Sequence, residues 1–465
     1  MISPWCAKPK SLSVLFAAAT ILQVLTTTIT STTAEVTTTL TTINYSDGDH
    51  SLQGFLALPK TTLLPAPAVV LILPDWDGVN DYEKKRAVQI ASELGYAAFA
   101  ADIYGTELHN VMELSEKRRL ATLYRNDESL FLSRIQAAID LMKDRSRDED
   151  YNGPIGMIGY CLGGTGVLMY ALSGATDADA LVSLHGGLLD FEVGPAVIPK
   201  LLVLSGGEDD TATTITNLEL TLDSVDAIWE ITRYSGIQHG FTVFGNPAYD
   251  AWADARSWSS MSSFLTEAFG IEQYDSGEPA ESRTNAIEYE DVDGTSLRGY
   301  LSVPDRNTLA HDTERLVRAV IIIPDWDGVN EYEKLRATML SDAGYIAFAA
   351  DIYGADLQEN LTFDQMVAQS TYYRSNSTLY HQRMQMAIQT LRSNVVEDDE
   401  FGLDGRIAII GYCFGGTGVV QYAFSGATDV AVAVAFHGGL TDLPPAAPTI
   451  HARVVVLSGG IDDAH

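Results

Sequence analysis

Apolar residues along this chain gather into short unbroken runs separated by stretches of helical spacing. Ala68–Leu73 (AVVLIL) is one such run, too short to be a helix and too uniformly apolar for a strand with one wet face. Residues 82–94 then place apolar positions at helical intervals, and Ala97–Ala101 is a second unbroken run. Two helical stretches follow, near 111–123 and 128–143, and the run Ile155–Gly159 leads directly into GYCLGG. Further strand-like runs fall at Ala180–Leu184, Leu201–Leu204 and Trp229–Tyr234. Strands that are apolar throughout need cover on both faces. The alternation therefore predicts an α/β fold, a mainly parallel sheet with helices on both sides. In such sheets the active site lies at the carboxyl ends of the strands.

The pattern occurs twice. PDWDGVNDYEKKRA begins at Pro74 and PDWDGVNEYEKLRA at Pro324; GYAAFAADIYG begins at Gly95 and GYIAFAADIYG at Gly344. IGYCLGGTGV at Ile158 returns as IGYCFGGTGV at Ile410, HGGL recurs at His185 and His437, and VLSGGEDD at Val203 matches VLSGGIDD at Val456. The spacing of about 250 residues is that of a whole domain, whereas solenoid repeats run at about 20–50. The expected organisation is a leader over 1–34, one lobe over 35–270, a polar linker over 271–284 and a second lobe over 285–465.

The leader reads as a secretory signal. Lys8 and Lys10 precede the mostly apolar run Leu12–Leu25, and Thr32-Thr33-Ala34 supplies small residues before a cut. That run is short against the roughly 20 apolar residues of a spanning helix. A secreted or secretory-lumen protein is expected, with a signal anchor or an organelle presequence as alternatives. The Thr-rich stretch 26–42 reads as an extended lead-in. With 62 acidic and 29 basic side chains the formal net charge is −33, which argues against nucleic acid and anionic membrane surfaces as partners. A hydrophobic content of 46% argues against wholesale disorder.

Of the three cysteines, Cys6 lies in the leader, while Cys161 and Cys413 share the setting GYC(L/F)GG. Cysteine is therefore read as chemistry rather than as a disulfide framework. Gly159-Tyr160-Cys161-Leu162-Gly163 fits a nucleophile between small residues at a sharp strand-to-helix turn. The helix N-terminus favours a thiolate, and the Leu162 N–H is placed as an oxyanion donor. A thiol nucleophile needs a base and the base an orienting acid. Asp209, with Asp210 as neighbouring alternative, and His239 both follow predicted strands, in the chain order nucleophile, acid, base. His185 and His437, and Asp102 and Asp351 in ADIYG, read as structural residues at strand ends and loops.

PDWDGVN, GYAAFAADIYG, GYCLGG, SGGEDD and QHGF together resemble the dienelactone hydrolase family, a branch of the α/β-hydrolases. The resemblance covers nearly all of the first lobe and the second from about residue 287 onward. It implies a Cys161–Asp209–His239 triad, no metal or organic cofactor, and a small-molecule lactone or ester as substrate. It further implies Trp76 as the second oxyanion donor and Asp75 as a residue gating thiol ionisation, where better-known members carry Glu. Arginines that hold a substrate carboxylate in some members are missing directly after Tyr104-Gly105 and just after His239. With the acidic net charge, this points to a neutral or cationic substrate.

In the second lobe Cys413, Asp325 and Asp462 match Cys161, Asp75 and Asp209. A counterpart of His239 falls beyond the last residue, and His465 stands too close to Asp462 in the chain to replace it. The expectation is a chain cut short from a longer protein, with an incomplete second site; the alternative is a second lobe inactive as a hydrolase. Two other functions compete with hydrolysis: a ligand-binding protein on a hydrolase scaffold, and an acyl transferase.

Overall fold

A computed structural model describes residues 39–59, 68–108, 113–145, 153–270, 283–304, 317–358, 361–397 and 403–459, apart from eight single positions within the fourth and last segments (190, 192, 195, 441, 442, 444, 446 and 448). The expected leader, most of the linker, Asp462 and His465 lie outside them. The chain divides into two compact units, one within Ser31–Asp275 and the other within Ser276–His465.

The first unit is built on eight strands: β1 Thr39–Asp47, β2 His50–Leu58, β3 Val69–Leu73, β4 Ala97–Ala100, β5 Ile155–Tyr160, β6 Ala180–Leu184, β7 Lys200–Gly206 and β8 Trp229–Tyr234. Their order across the sheet is β1-β2-β4-β3-β5-β6-β7-β8. The strands from β4 to β8 run parallel, while β1 and β2 are antiparallel to their neighbours. The hairpin departs from the sequence expectation, which left Thr39–Thr42 in a lead-in. These threonines pair with Phe55–Leu58 of β2, and the chain reverses beside Gly48 at φ 57°.

Among the described residues six α-helices cover this sheet: α1 Asp81–Gln89, α2 Leu114–Asn126, α3 Glu128–Arg145, α4 Leu162–Leu172, α5 Ala212–Asp223 and α6 Ala251–Ala268. The strands explain why both faces need cover. Val69, Leu71 and Leu73 point into one core with residues of α2 to α5, whereas Val70 and Ile72 point into another with α1 and α6. Alternate side chains of a strand face opposite ways, so an unbroken apolar run feeds two cores. α1 starts with a capping box in which Asn80 and Glu83 bond each other's backbone N–H.

The second unit repeats the plan. Its strands are β9 Asn285–Glu290, β10 Ser296–Ser302, β11 Val317–Ile323, β12 Ile346–Ala349, β13 Leu403–Tyr412, β14 Val432–Phe436 and β15 Arg453–Leu457, in the order β15-β14-β13-β11-β12-β10-β9. Its helices are α7 Glu331–Asp342, α8 Ala355–Gln358, α9 Phe363–Ser375, α10 Ser377–Glu397 and α11 Phe414–Phe424. Among the described residues β15 pairs on one side only, with β14, and no strand matches β8. No helix among them is long and apolar enough to cross a membrane.

Candidate active site

The site of the first lobe grows from the turn between β5 and α4. Cys161 adopts φ 51° and ψ −108°, a backbone state that L-residues avoid. The turn is that tight because the chain folds back onto itself. A Cβ on Gly159 would stand 2.1 Å from the Gly163 carbonyl oxygen, and one on Gly163 would stand 2.3 Å from the Leu73 carbonyl oxygen. Only glycine fits either position. Cys161 thereby projects from the carboxyl end of β5 at the N-terminus of α4. Leu162 is the first residue of that helix, so its N–H has no acceptor within the helix.

Asp209 follows β7 and His239 follows β8, and the parallel sheet brings both to the same edge as Cys161. His239 Nε2 lies 3.0 Å from Cys161 Sγ, and His239 Nδ1 lies 2.8 Å from Asp209 Oδ2. Asp210 turns away and accepts a hydrogen bond from Ser205 Oγ at 2.8 Å. Burial alone would lower the His239 pKa, but Asp209 on one ring nitrogen and Cys161 on the other push it up to about 10. The ring therefore keeps its proton at neutral pH, between a carboxylate and the sulfur.

His185 holds the turn from behind. It is fully buried at the end of β6, with φ 39°. Its Nδ1 accepts the Cys161 N–H at 3.1 Å, and its Nε2 meets Thr242 Oγ1 at 2.8 Å. Burial, then the nearby His239, drives its pKa well below 6.5, so the ring is neutral and its one proton sits on Nε2. Thr242 continues the chain to Tyr82 Oη at 2.7 Å, and its carbonyl accepts from Arg86, which is ion-paired with Asp254. The structural reading of His185 thus lacked its contact with the backbone of Cys161. The signal for it was its place at the tip of the strand beside β5.

Asp75 is hydrogen-bonded within its own turn. Its Oδ1 accepts the Asp77 N–H at 2.9 Å, and among the described residues no hydrogen bond joins it to Cys161. Burial, with Asp77 and Glu83 close by, raises its pKa to about 9, so it is neutral at pH 7. Trp76 is fixed by Tyr104, whose hydroxyl donates to the Trp76 carbonyl at 3.0 Å. Asp102 accepts the N–H groups of Gln53, Tyr104 and Gly105, and so shapes the ADIYG loop. Asp351 does the same with Arg298, Tyr353 and Gly354.

A cavity of about 410 Å³ opens over the sulfur, lined by Trp76, Cys161 and His239 and, from α2, by Arg118, Ala121, Thr122 and Arg125. No arginine directly follows Tyr104-Gly105 or His239 in the sequence, yet two stand on the cavity wall. They come from a helix, α2, rather than from the loops beside the motifs.

In the second lobe the turn is copied. Cys413 has φ 50° and ψ −111°, Gly411 and Gly415 meet the same close backbone, and His437 has φ 39°. Asp462 and His465 fall outside the described residues, so no triad is traced around Cys413.

The model of the dienelactone hydrolase family matches residues 52–269 and 306–465. A carboxymethylenebutenolidase of Pseudomonas putida is 26% identical over 210 residues, 43% of this chain and 86% of that protein. A dienelactone hydrolase-like promiscuous phosphotriesterase from metagenomic libraries is 29% identical, with a TM-score of 0.44 over 50% of this chain and 99% of its own. A putative dienelactone hydrolase of Klebsiella pneumoniae is 17% identical, with a TM-score of 0.41 over 51% of this chain and all (100%) of its own.

Proposed function

The chain belongs to the dienelactone hydrolase family, whose chemistry is hydrolysis of the lactone or ester type, and from that premise we propose that the first lobe works through a Cys161–His239–Asp209 triad and a thioester acyl-enzyme. The observation that carries this reading is the unbroken contact from Asp209 through His239 to the sulfur, at 2.8 and 3.0 Å. Cys161 Sγ attacks the carbonyl carbon, and the carbonyl electron pair moves onto oxygen. The N–H groups of Leu162 and Trp76 hold that oxyanion. Collapse expels the alkoxide, which takes its proton from His239 Nε2. The now neutral ring removes a proton from water, the hydroxide attacks the thioester, and the thiol leaves. Asp209 fixes the tautomer and balances the imidazolium charge.

Asp75, neutral and bonded within its own turn, acts on the thiol through the loop that carries Trp76. Arg118 and Arg125 favour an acyl or alcohol part that bears an anionic group. Half-esters of dicarboxylic acids should therefore be cleaved with higher kcat/KM than neutral esters of equal length, and Arg125→Ala should remove the difference. Cys161→Ala and His239→Ala should each lose activity on aryl esters, and mass spectrometry of the quenched enzyme should show one acyl group on Cys161. Wild-type turnover by Cys161→Ala would exclude the mechanism. We place the protein in the secretory pathway on the strength of Lys8, Lys10 and Leu12–Leu25, which N-terminal sequencing of the mature chain would test.

A further inference from the structure

The two lobes share a cluster of three carboxylates but neutralise it differently. In the first lobe Asp75, Asp77 and Glu83 surround the turn between β3 and α1. A cation is built in: Lys117 Nζ, from the fourth position of α2, lies 3.0 Å from Asp77 Oδ2. In the second lobe Asp325, Asp327 and Glu333 repeat the cluster between β11 and α7. The fourth position of α9 is there Met366. The carboxylates remain and their ammonium partner is gone.

The remaining geometry is that of a cation site. One carboxylate oxygen from each of Asp325, Asp327 and Glu333 lies within 4.8 Å of the other two. Oxygen ligands stand about 2.3–2.6 Å from Ca²⁺, so two ligands of one ion are at most about 5 Å apart. Glu333 is 0% exposed, and among the described residues its Oε1 has no hydrogen-bond partner, although Oε2 accepts the Asn330 N–H at 3.0 Å. The matching Glu83 Oε1 does have one, the Asp75 N–H at 3.3 Å. A buried carboxylate oxygen without a partner is costly, and a metal ion is a natural occupant of such a position.

We infer that Asp325, Asp327 and Glu333 bind a hard divalent cation of the Ca²⁺ class, which takes the place that Lys117 holds in the first lobe. All three donors are carboxylate oxygens, which suit Ca²⁺, Mg²⁺ or Mn²⁺ rather than softer metals. Asp325 and Asp327 are half-buried, so water can complete the coordination. The ion ties β11 to the start of α7 and thereby fixes the turn that carries Trp326.

The test uses the full chain after treatment with EDTA. Terbium luminescence sensitised by Trp326, followed by displacement with CaCl₂, should report one site with a dissociation constant below about 1 mM. Met366→Lys should weaken Ca²⁺ binding at least about tenfold with an unchanged circular dichroism spectrum, because the first lobe already accepts lysine there. Asp327→Asn should weaken it likewise. No binding of Ca²⁺, Mg²⁺ or Mn²⁺ at about 10 mM, or Met366→Lys binding as tightly as the parent, would overturn the inference. Cleavage of aryl esters by the first lobe is a separate readout that neither result moves.

Discussion

Replacing His185 separates a residue that fills the core from one that sets the nucleophile. His185→Ala removes two hydrogen bonds, to the Cys161 N–H and to Thr242 Oγ1. Neither partner is orphaned, because Leu184 O still accepts the Cys161 N–H at 3.0 Å and Tyr82 Oη still meets Thr242 at 2.7 Å. Each lost bond then costs about 1 kcal/mol. The space left by a fully buried ring adds about 1–3 kcal/mol, by analogy with other large-to-small core changes. The total of about 3–5 kcal/mol corresponds to a fall in Tm on the order of 10 °C for a domain of this size. The kinetic effect has a different origin. Cys161 sits in a strained turn, and a shift of about 1 Å in a reacting atom costs about a hundredfold in rate. His185→Ala should thus lower kcat on p-nitrophenyl acetate about a hundredfold with little change in KM. His185→Asn should recover most of that loss, because asparagine tolerates positive φ and its Oδ1 can accept the same N–H. Calorimetry and steady-state kinetics on both variants decide the matter. If His185→Ala lost thermal stability yet kept kcat within about twofold, the claim that this residue positions the sulfur would fail.

Other expectations follow from the same geometry. Asp209→Asn should lower kcat by about 10³–10⁴-fold, the scale seen when a triad histidine loses its orienting acid, whereas Asp210→Asn should stay within about tenfold, as steady-state kinetics will show. His239 has a raised pKa, so its contribution to stability is complete below its unfolded value near 6.5 and is lost as pH rises through about 10. Ester hydrolysis should fall over that upper limb, where the ring can no longer protonate the leaving group, and a pH–rate profile measures it. Asp75 is likewise raised, to about 9, so its ionisation withdraws stability as pH climbs from about 4 towards 9. Asp75→Asn keeps the Oδ1 acceptor without a titrating proton, and urea midpoints across that range should flatten.

Cys161, Asp209 and His239 were legible because each follows a strand-like run, and a parallel sheet sends the ends of such runs to one edge. The tandem plan was legible because whole motifs recur in order. The β1–β2 hairpin was hidden by composition, since a Thr-rich segment suits both a spacer and an edge strand. Arg118 and Arg125 escaped notice because a side chain's reach from a helix depends on which stripe is buried. Leu120, Ala121 and Tyr124 are the buried residues of α2, and their packing turns both arginines to the cavity wall. Residues 118, 121, 122 and 125 do form one helical stripe, so that spacing was the available signal. The bond from His185 to the Cys161 backbone needs the pairing of β5 with β6, which apolar patterning alone does not specify.

The close backbone at the cysteine turns bears on how duplicated enzymes are read. Gly411 and Gly415 face carbonyl oxygens as near as Gly159 and Gly163 do, so replacing them would break the packing of β13 on α11 whatever reaction takes place there. A lobe that had lost catalysis would still be obliged to retain the two outer glycines of the G-x-C-x-G signature, because folding alone enforces them. Counting such signatures along a chain therefore counts folded copies. The number of working sites has to be counted on groups the scaffold does not require, and under the triad proposed above the discriminating group is the histidine that follows the eighth strand.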